Sequence, residues 1–290
     1  MRARSGSKTL AAILVAGLFL GACAAEEDEP SEPAAQGSEE ETCHKTHLPV
    51  HTEGQLTIAT DKPAFEPWFV GNDPTNGQGV ESAVAYAVAE EMGFSKDEVE
   101  WVVEPFNKSY APGPKDYDFD VNQISVTAKR EEAVDFSDGY YDVNQALVAK
   151  KDSPVAEVTS LDELAEYKLG AQVGTTSYSY ITQYVQPGEQ PFTYDTTNDA
   201  KSALNAGQID GIVVDLPTAF YISAVEIPGS AVVGQFPTQG EAEQFGLLFE
   251  EDNPLVDCVN EALARLKEDG TLAEIQDRWL SQAVSAPVLE

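Results

Sequence analysis

Positive charge is what this sequence has least of: 17 lysines and arginines stand against 50 acids, a formal net charge of −33 over 290 residues. A phosphate backbone demands a basic face, so nucleic acid is excluded as a natural partner. Arginine is scarcer still, and Arg130 is alone between Arg4 and Arg265. The three histidines all lie in "CHKTHLPVH". The spacing of Cys43, His44, His47 and His51 fits no zinc pattern, so neither a metal nor a cofactor is expected. Also missing are a Gly-x-Ser-x-Gly elbow, a Walker loop, HExxH and CxxC, which removes the usual support for hydrolase and nucleotide-binding readings. No run reaches the ~20 apolar residues that cross a bilayer as a helix. Hydrophobic content is nevertheless 42%, enough for one large or two modest cores.

The N-terminus carries Arg2, Arg4 and Lys8 and then an apolar run from Leu10 to Ala22, the order of a signal peptide. Its end, "LGAC", resembles the lipobox of bacterial lipoproteins. That resemblance implies a leader over residues 1–22 and a diacylglycerol on Cys23, anchoring the chain outside the plasma membrane without spanning it. Removing the leader removes three positive charges and no acid, taking the formal charge from −33 to −36. Such acidity favours a soluble monomer. With Cys23 assigned to lipid, Cys43 and Cys258 remain in an exported chain, and the simplest arithmetic pairs them. A loop that long is worth on the order of 5 kcal/mol in the chain-entropy model.

Residues 23–53 begin with "AAEEDEPSEPAAQGSEEET" after Cys23, acidic and almost devoid of large apolar side chains, and are expected to form a disordered tether. Order is expected near Leu56, where "QLTIATD" alternates apolar and polar residues as a half-buried strand does. Strand-like runs then alternate with helical patterns, the signature of α/β layers. Val80, Val84, Val88 and Met92 recur at helical spacing before Gly93, and "SLDEL" carries a capping box before another helix. "KLGAQVG", "GIVVD" and "AVVGQF" read as strands. Two amphipathic helices close the chain, with Leu255, Val259 and Leu263 on one face. The pattern suits either one doubly wound sheet or two smaller lobes.

Four places offer chemistry. "NQISV" reads as a strand and Thr127 as an N-cap, so Ala128–Val134 would open a helix with Arg130 in its first turn. A cation there opposes the macrodipole, which suits an anion arriving from outside and held by the guanidinium fork. An ion pair with Glu131 or Asp135 is the plainer alternative. In "QVGTTSY" a strand runs into Gly174, and Thr175 and Thr176 offer either an anion grip or simple capping. Asp215, after "GIVV" and before Leu216-Pro217, is an N-cap or a partner for an ammonium group at the carboxyl end of a strand. Asp61 follows the first strand, and Phe65, Trp68 and Phe69 sit in a proline-broken loop as a ligand platform or a small local core.

Together and in this order, "LTIATDKPAFEPWF", "YDFDVNQISVTAKREEAVDFSDGYYDVNQALVAKKD", "SLDELAEYKLGAQVGTTSY", "AGQIDGIVVD" and "EALARLKEDGTLAEIQDRWL" resemble the extracellular solute-binding proteins of family 3, the amino-acid receptors of ABC importers. The second stretch, with Ser-x-Thr-x-x-Arg and Val-Asp-Phe-Ser-Asp, is the most specific. The resemblance implies an α/β, two-lobed periplasmic-binding-protein-like fold (type II), hinged by two crossing segments through "VNQALVAKK" and near "VVGQF". Lobe 1 would take 54–146 and 236–290, and lobe 2 147–235.

It also implies roles. Arg130 would grip the α-carboxylate of a free amino acid, with Thr176 completing that grip and Thr175 beside it. Ser125 and the backbone at Gln123 would contact carboxylate and ammonium, and Asp215 would take the ammonium. The first loop is one residue longer than the family's usual form, leaving open which of Phe65 and Trp68 stacks on the ligand. Ala128 replaces a usual proline, and the longer "NKSYAPGPKD" brings Tyr110 towards the pocket. Asp61 would favour a cationic or amide side chain over aspartate or glutamate. The implied partners are a polar amino acid, an ABC permease, and the membrane through the lipid. Two other classes remain: a dehydratase acting on arogenate-like substrates, for which Glu66 and Glu243 are conceivable acids, and a ligand sensor for a signalling partner.

Overall fold

The computed structural model describes Cys43 and residues 45–280 and 286–290. The expected leader, Cys23, the tether through residue 42 and His44 lie outside the described residues. Two five-stranded sheets organise the chain, joined by a short two-stranded ribbon.

In the first sheet, β1 (Leu56–Thr60) pairs in parallel with β2 (Val99–Val103) on one side and β3 (Phe119–Asp120) on the other. β12 (Leu248–Phe249) then lies between β3 and β4 (Asp135–Phe136), antiparallel to both. Flanked on both edges and covered on both faces, β1 is buried at all five positions, Thr57 and Thr60 included. The expected half-buried strand is therefore a central one. Helix α1 (Val80–Glu91) buries Val80, Val84 and Val88. It ends where Gly93 turns to φ 85 and Phe94 N–H bonds Ala89 O at 2.8 Å, the six-to-one closure that glycine permits. Helices α5 (Leu255–Glu268) and α6 (Thr271–Leu280) pack with α1, and Val259 and Leu263 join Leu56, Ile58 and Phe119 in one core.

The second sheet runs β10 (Ser230–Gln235), β6 (Gln145–Lys150), β9 (Gly211–Asp215), β7 (Leu169–Gln172), β8 (Phe192–Tyr194). β6 is antiparallel to both β10 and β9, while β7 is parallel to β8 and β9. Its own apolar clusters cover the two faces. Between the sheets, β5 (Tyr141–Val143) pairs antiparallel with β11 (Glu243–Phe245). The chain leaves the first sheet after β4 and crosses through β5 into β6, then returns from β10 through β11 to β12, so the fold is two-lobed with two adjacent crossings.

Several local expectations give way to packing. Residues 45–53, expected in the tether, lie against the first lobe: Leu48 is buried, Lys45 Nζ meets Glu98 at 2.6 Å, and His51 N–H bonds Asp118 Oδ1 at 2.6 Å. Cys43 is disulfide-bonded to Cys258 across a separation of 215 residues, holding that segment to α5. At the other end, Val288 pairs with Gln235 and Leu289 is buried in the second lobe, although 236–290 was expected in lobe 1. "SLDEL" yields only a 3-10 turn, Asp162–Glu166, without a formed capping box; Ser160 Oγ bonds the Glu163 carboxylate at 3.2 Å instead.

Candidate functional site

Arg130 does not open a helix. Residues Ala128–Ala133 form consecutive turns, because only seven residues separate Thr127 from β4. Thr127 still caps them: Arg130 N–H reaches Thr127 O at 2.9 Å and Thr127 Oγ1 at 3.3 Å. "NQISV" is likewise no strand. Gln123 sits at φ 48, held there by Glu81, whose carboxylate accepts the Gln123 N–H at 2.6 Å and the side-chain amide as well. That bend aims Ser125 and Arg130 into the gap between the lobes.

Arg130 is 7% exposed, and its guanidinium donates through Nη1 to Ser125 O at 2.6 Å and through Nη2 to Gly174 O at 3.1 Å. It lies over the rings of Phe106, at 5.4 Å, and Tyr110, at 4.8 Å. Burial lowers its pKa. Neither Glu131 nor Asp135 forms a salt bridge with it among the described residues. A cavity of about 60 Å³ opens beside it. From the first lobe Asp61, Phe65, Gln123, Ser125 and Arg130 line this space, and from the second Thr175, Thr176 and Asp215.

Each lobe positions its part by ordinary secondary-structure chemistry. β7 ends at Gln172, Gly174 turns at φ 78, and Thr175 caps α2 (Thr176–Tyr180) by accepting Tyr178 N–H at 3.1 Å. Thr176 Oγ1 is thus free of the capping role and lies 3.3 Å from Ser125 Oγ across the gap. Asp215 ends β9 and precedes α4 (Leu216–Tyr221), yet its side chain makes no cap. It accepts Gln145 Nε2 at 2.9 Å, and burial, with Glu243 adding, pushes its pKa up to about 7. Asp61 accepts backbone N–H groups from Lys62 at 2.6 Å and Phe106 at 3.3 Å.

Two expected residues stand elsewhere. Trp68 is fully buried in the first-lobe core, edge-on to Tyr141 and Phe245, and of the two loop aromatics only Phe65 lines the cavity. Tyr110 lines an adjoining groove of about 820 Å³ that shares Arg130, Thr175 and Thr176 with the cavity. Sequence reasoning missed Phe106, Gln145 and Glu81, and offered Glu243 only as a conceivable acid. Glu243 accepts Ser125 Oγ at 2.5 Å and Gln145 Nε2 at 3.2 Å. A signal existed for Glu81, since 81, 85 and 88 share the buried stripe of α1; Gln145, polar at the head of the apolar "ALVA", was visible too.

The family model for bacterial extracellular solute-binding proteins, family 3, matches residues 56–282. The chain belongs to that family. Among curated relatives, the ABC transporter arginine-binding protein 1 of Escherichia coli (strain K12) is 29% identical over 57% of this chain and 67% of its own length. The L-cystine-binding protein TcyJ of the same strain is 30% identical over 59% of this chain, which spans 63% of TcyJ. A solved structure of an ancestral arginine-binding protein bound to glutamine superposes with a TM-score of 0.67 at 29% identity, covering 79% of this chain and 99% of that one. As a family 3 solute-binding protein, the chain is a solute receptor of two-lobed fold. No described helix is long and apolar enough to cross a membrane.

Proposed function

We propose that the protein binds a free polar L-amino acid between its lobes and delivers it to an ABC permease. The observation that carries this reading is one cavity with opposite grips from both lobes. Arg130, already bonded to carbonyls on each side, faces the space shared with Asp215. A guanidinium suits an α-carboxylate and a buried acid suits an α-ammonium, so a zwitterion joins the two lobes as it binds. Each charge-assisted bond contributes ~1.5 to 3 kcal/mol, and a few of them reach the about −8 kcal/mol of a micromolar complex. Ser125, Thr176, Thr175 and the Gln123 backbone complete the grip, with Asp61, Phe65 and Tyr110 nearer the side chain.

The same reading takes lobe 1 as 54–146 and 236–280 and lobe 2 as 147–235 with 286–290. It places the mature chain outside the cytoplasm as a monomer lipidated at Cys23, with no reaction of its own; the relatives are named as binding proteins. The test is thermal unfolding with each common amino acid at millimolar concentration. A ligand at ~1,000 times its dissociation constant adds about 4 kcal/mol, so one polar amino acid should raise the midpoint and Arg130→Ala should abolish the rise. No shift by any amino acid, with prephenate or arogenate turned over instead, overturns the proposal.

A further inference from the structure

Glu81 is a fully buried carboxylate that forms no salt bridge among the described residues. Three donors meet it instead: the Gln123 N–H at 2.6 Å, the Gln123 side-chain amide and the Tyr140 hydroxyl. Its place in the first turn of α1 also favours the charged form, since a helix N-terminus is the positive end. Glu81 is not part of the cavity wall, but Gln123 is. With both nitrogens of Gln123 engaged by Glu81, its oxygens are what it has left for a ligand, and oxygens suit an ammonium.

Protonation undoes this hold. A carboxylic acid adds a hydrogen where three donor hydrogens already converge and keeps one good acceptor oxygen, so a donor has to leave. Gln123 is the one under strain: φ 48 is the left-handed region, where a non-glycine residue stays only while its surroundings hold it. The groups facing Glu81 supply no cation to keep it ionised. Those that interact with its charge are Tyr140, Asp120 of β3 and Asp215 of β9. Of the cations on elements packed against α1, Arg265 is bonded to Glu91 and Lys96 lies over Tyr86, both further along the helix, while Lys267 and Arg278 are exposed. Burial accordingly raises the Glu81 pKa from 4.5 to about 7, against the pull of its donors. We infer that Glu81 is a positioning residue that couples binding to a proton: it must be ionised for Gln123 to face the ligand, so binding expels a proton and acid weakens the grip. The inference rests on the amino-acid-receptor reading above.

Calorimetric titration with each of the common L-amino acids at pH 6 and pH 8, in two buffers of different ionisation enthalpy, counts the protons and tests it. A carboxyl that titrates at about 7 and must ionise costs about tenfold in affinity between pH 8 and pH 6. Asp215 titrates in the same range from the cavity wall, so wild type should lose about a hundredfold and Glu81→Gln only about tenfold, with about one proton fewer released at pH 6. Tyr140→Phe takes one donor from the carboxylate and should move the profile to higher pH, which lost packing alone does not do. A folded Glu81→Gln with the wild-type proton count leaves the linkage to Asp215 and overturns the inference; so does wild-type affinity equal at both pH values. Where Glu81→Gln does not fold, an unmoved profile in Tyr140→Phe overturns it. The receptor reading survives each of these results, whereas folded wild type that binds no common amino acid overturns both.

Discussion

Arg130 is held by shape as much as by charge. Its two carbonyl contacts and its place over Phe106 and Tyr110 use the planar fork, which an ammonium on a flexible stem does not reproduce. Arg130→Lys should therefore weaken the ligand by on the order of 100-fold, close to the loss in Arg130→Ala, as calorimetric titration would read. Nearby, three buried acids have pKa values raised by desolvation: Glu81 to about 7, Asp120 to about 8 and Asp215 to about 7. Their ordinary values are 4.5, 3.8 and 3.8. As pH rises from about 4 to about 8, the unfolded chain has released protons that the native chain still holds, so stability falls across that window and levels off above it. The thermal midpoint should thus drop between pH 5 and pH 8. Asp120 Oδ1 has no hydrogen-bond partner among the described residues, so Asp120→Asn, which mimics the protonated acid, should make the drop shallower.

At the scale of elements, what was legible in the sequence was what repeats locally. The stripe Val80, Val84, Val88 gave α1, and Leu255, Val259, Leu263 gave α5. Illegible were features set by partners far along the chain. Gln123 bends because Glu81, 42 residues away, binds its N–H, and Glu243 enters the site across 118 residues from Ser125. Trp68 looked like a ligand platform because nothing local showed that β5 and β11 would cover it. Its ring nitrogen has a different use, donating to Thr218 Oγ1 of α4 at 2.9 Å, while Lys201 of the second lobe lies 5.1 Å over Phe65. These contacts latch the first loop to the second lobe when the cleft is closed. Thr218→Val would leave the Trp68 N–H unpaired in the closed form at a cost of about 1 to 3 kcal/mol, while water satisfies it in an open one. Ligand affinity should fall about tenfold, mostly through faster dissociation in stopped-flow measurements, with little change in the midpoint of unliganded protein.

Over the whole molecule, two long-range ties act in different places. The Cys43–Cys258 bridge fastens the segment before β1 to α5 within the first lobe. Its double serine replacement should cost up to about 5 kcal/mol of stability and leave ligand selectivity intact. The C-terminal residues tie the lobes to each other: α6 belongs to the first, but Ala286–Glu290 lies along β10 of the second. Gln235 N–H bonds Pro287 O at 2.8 Å, Leu289 N–H bonds Gln235 O at 3.0 Å, and Gly234 leaves no room for a Cβ beneath Leu289. A core leucine inside a helix or strand leaves a cavity when replaced, but Ala286–Glu290 is held to β10 by an isolated bridge and belongs to no helix or strand, so it can lift away. Leu289→Asp should therefore cost only the burial of that side chain, about 1.5 to 3 kcal/mol, lowering the midpoint by several degrees. Detachment also removes a third connection between the lobes, so small-angle scattering of unliganded Leu289→Asp should show a larger radius of gyration than wild type, and saturating ligand should bring the two together. An unchanged radius with a lowered midpoint would reduce the tail to a cap on the second lobe alone.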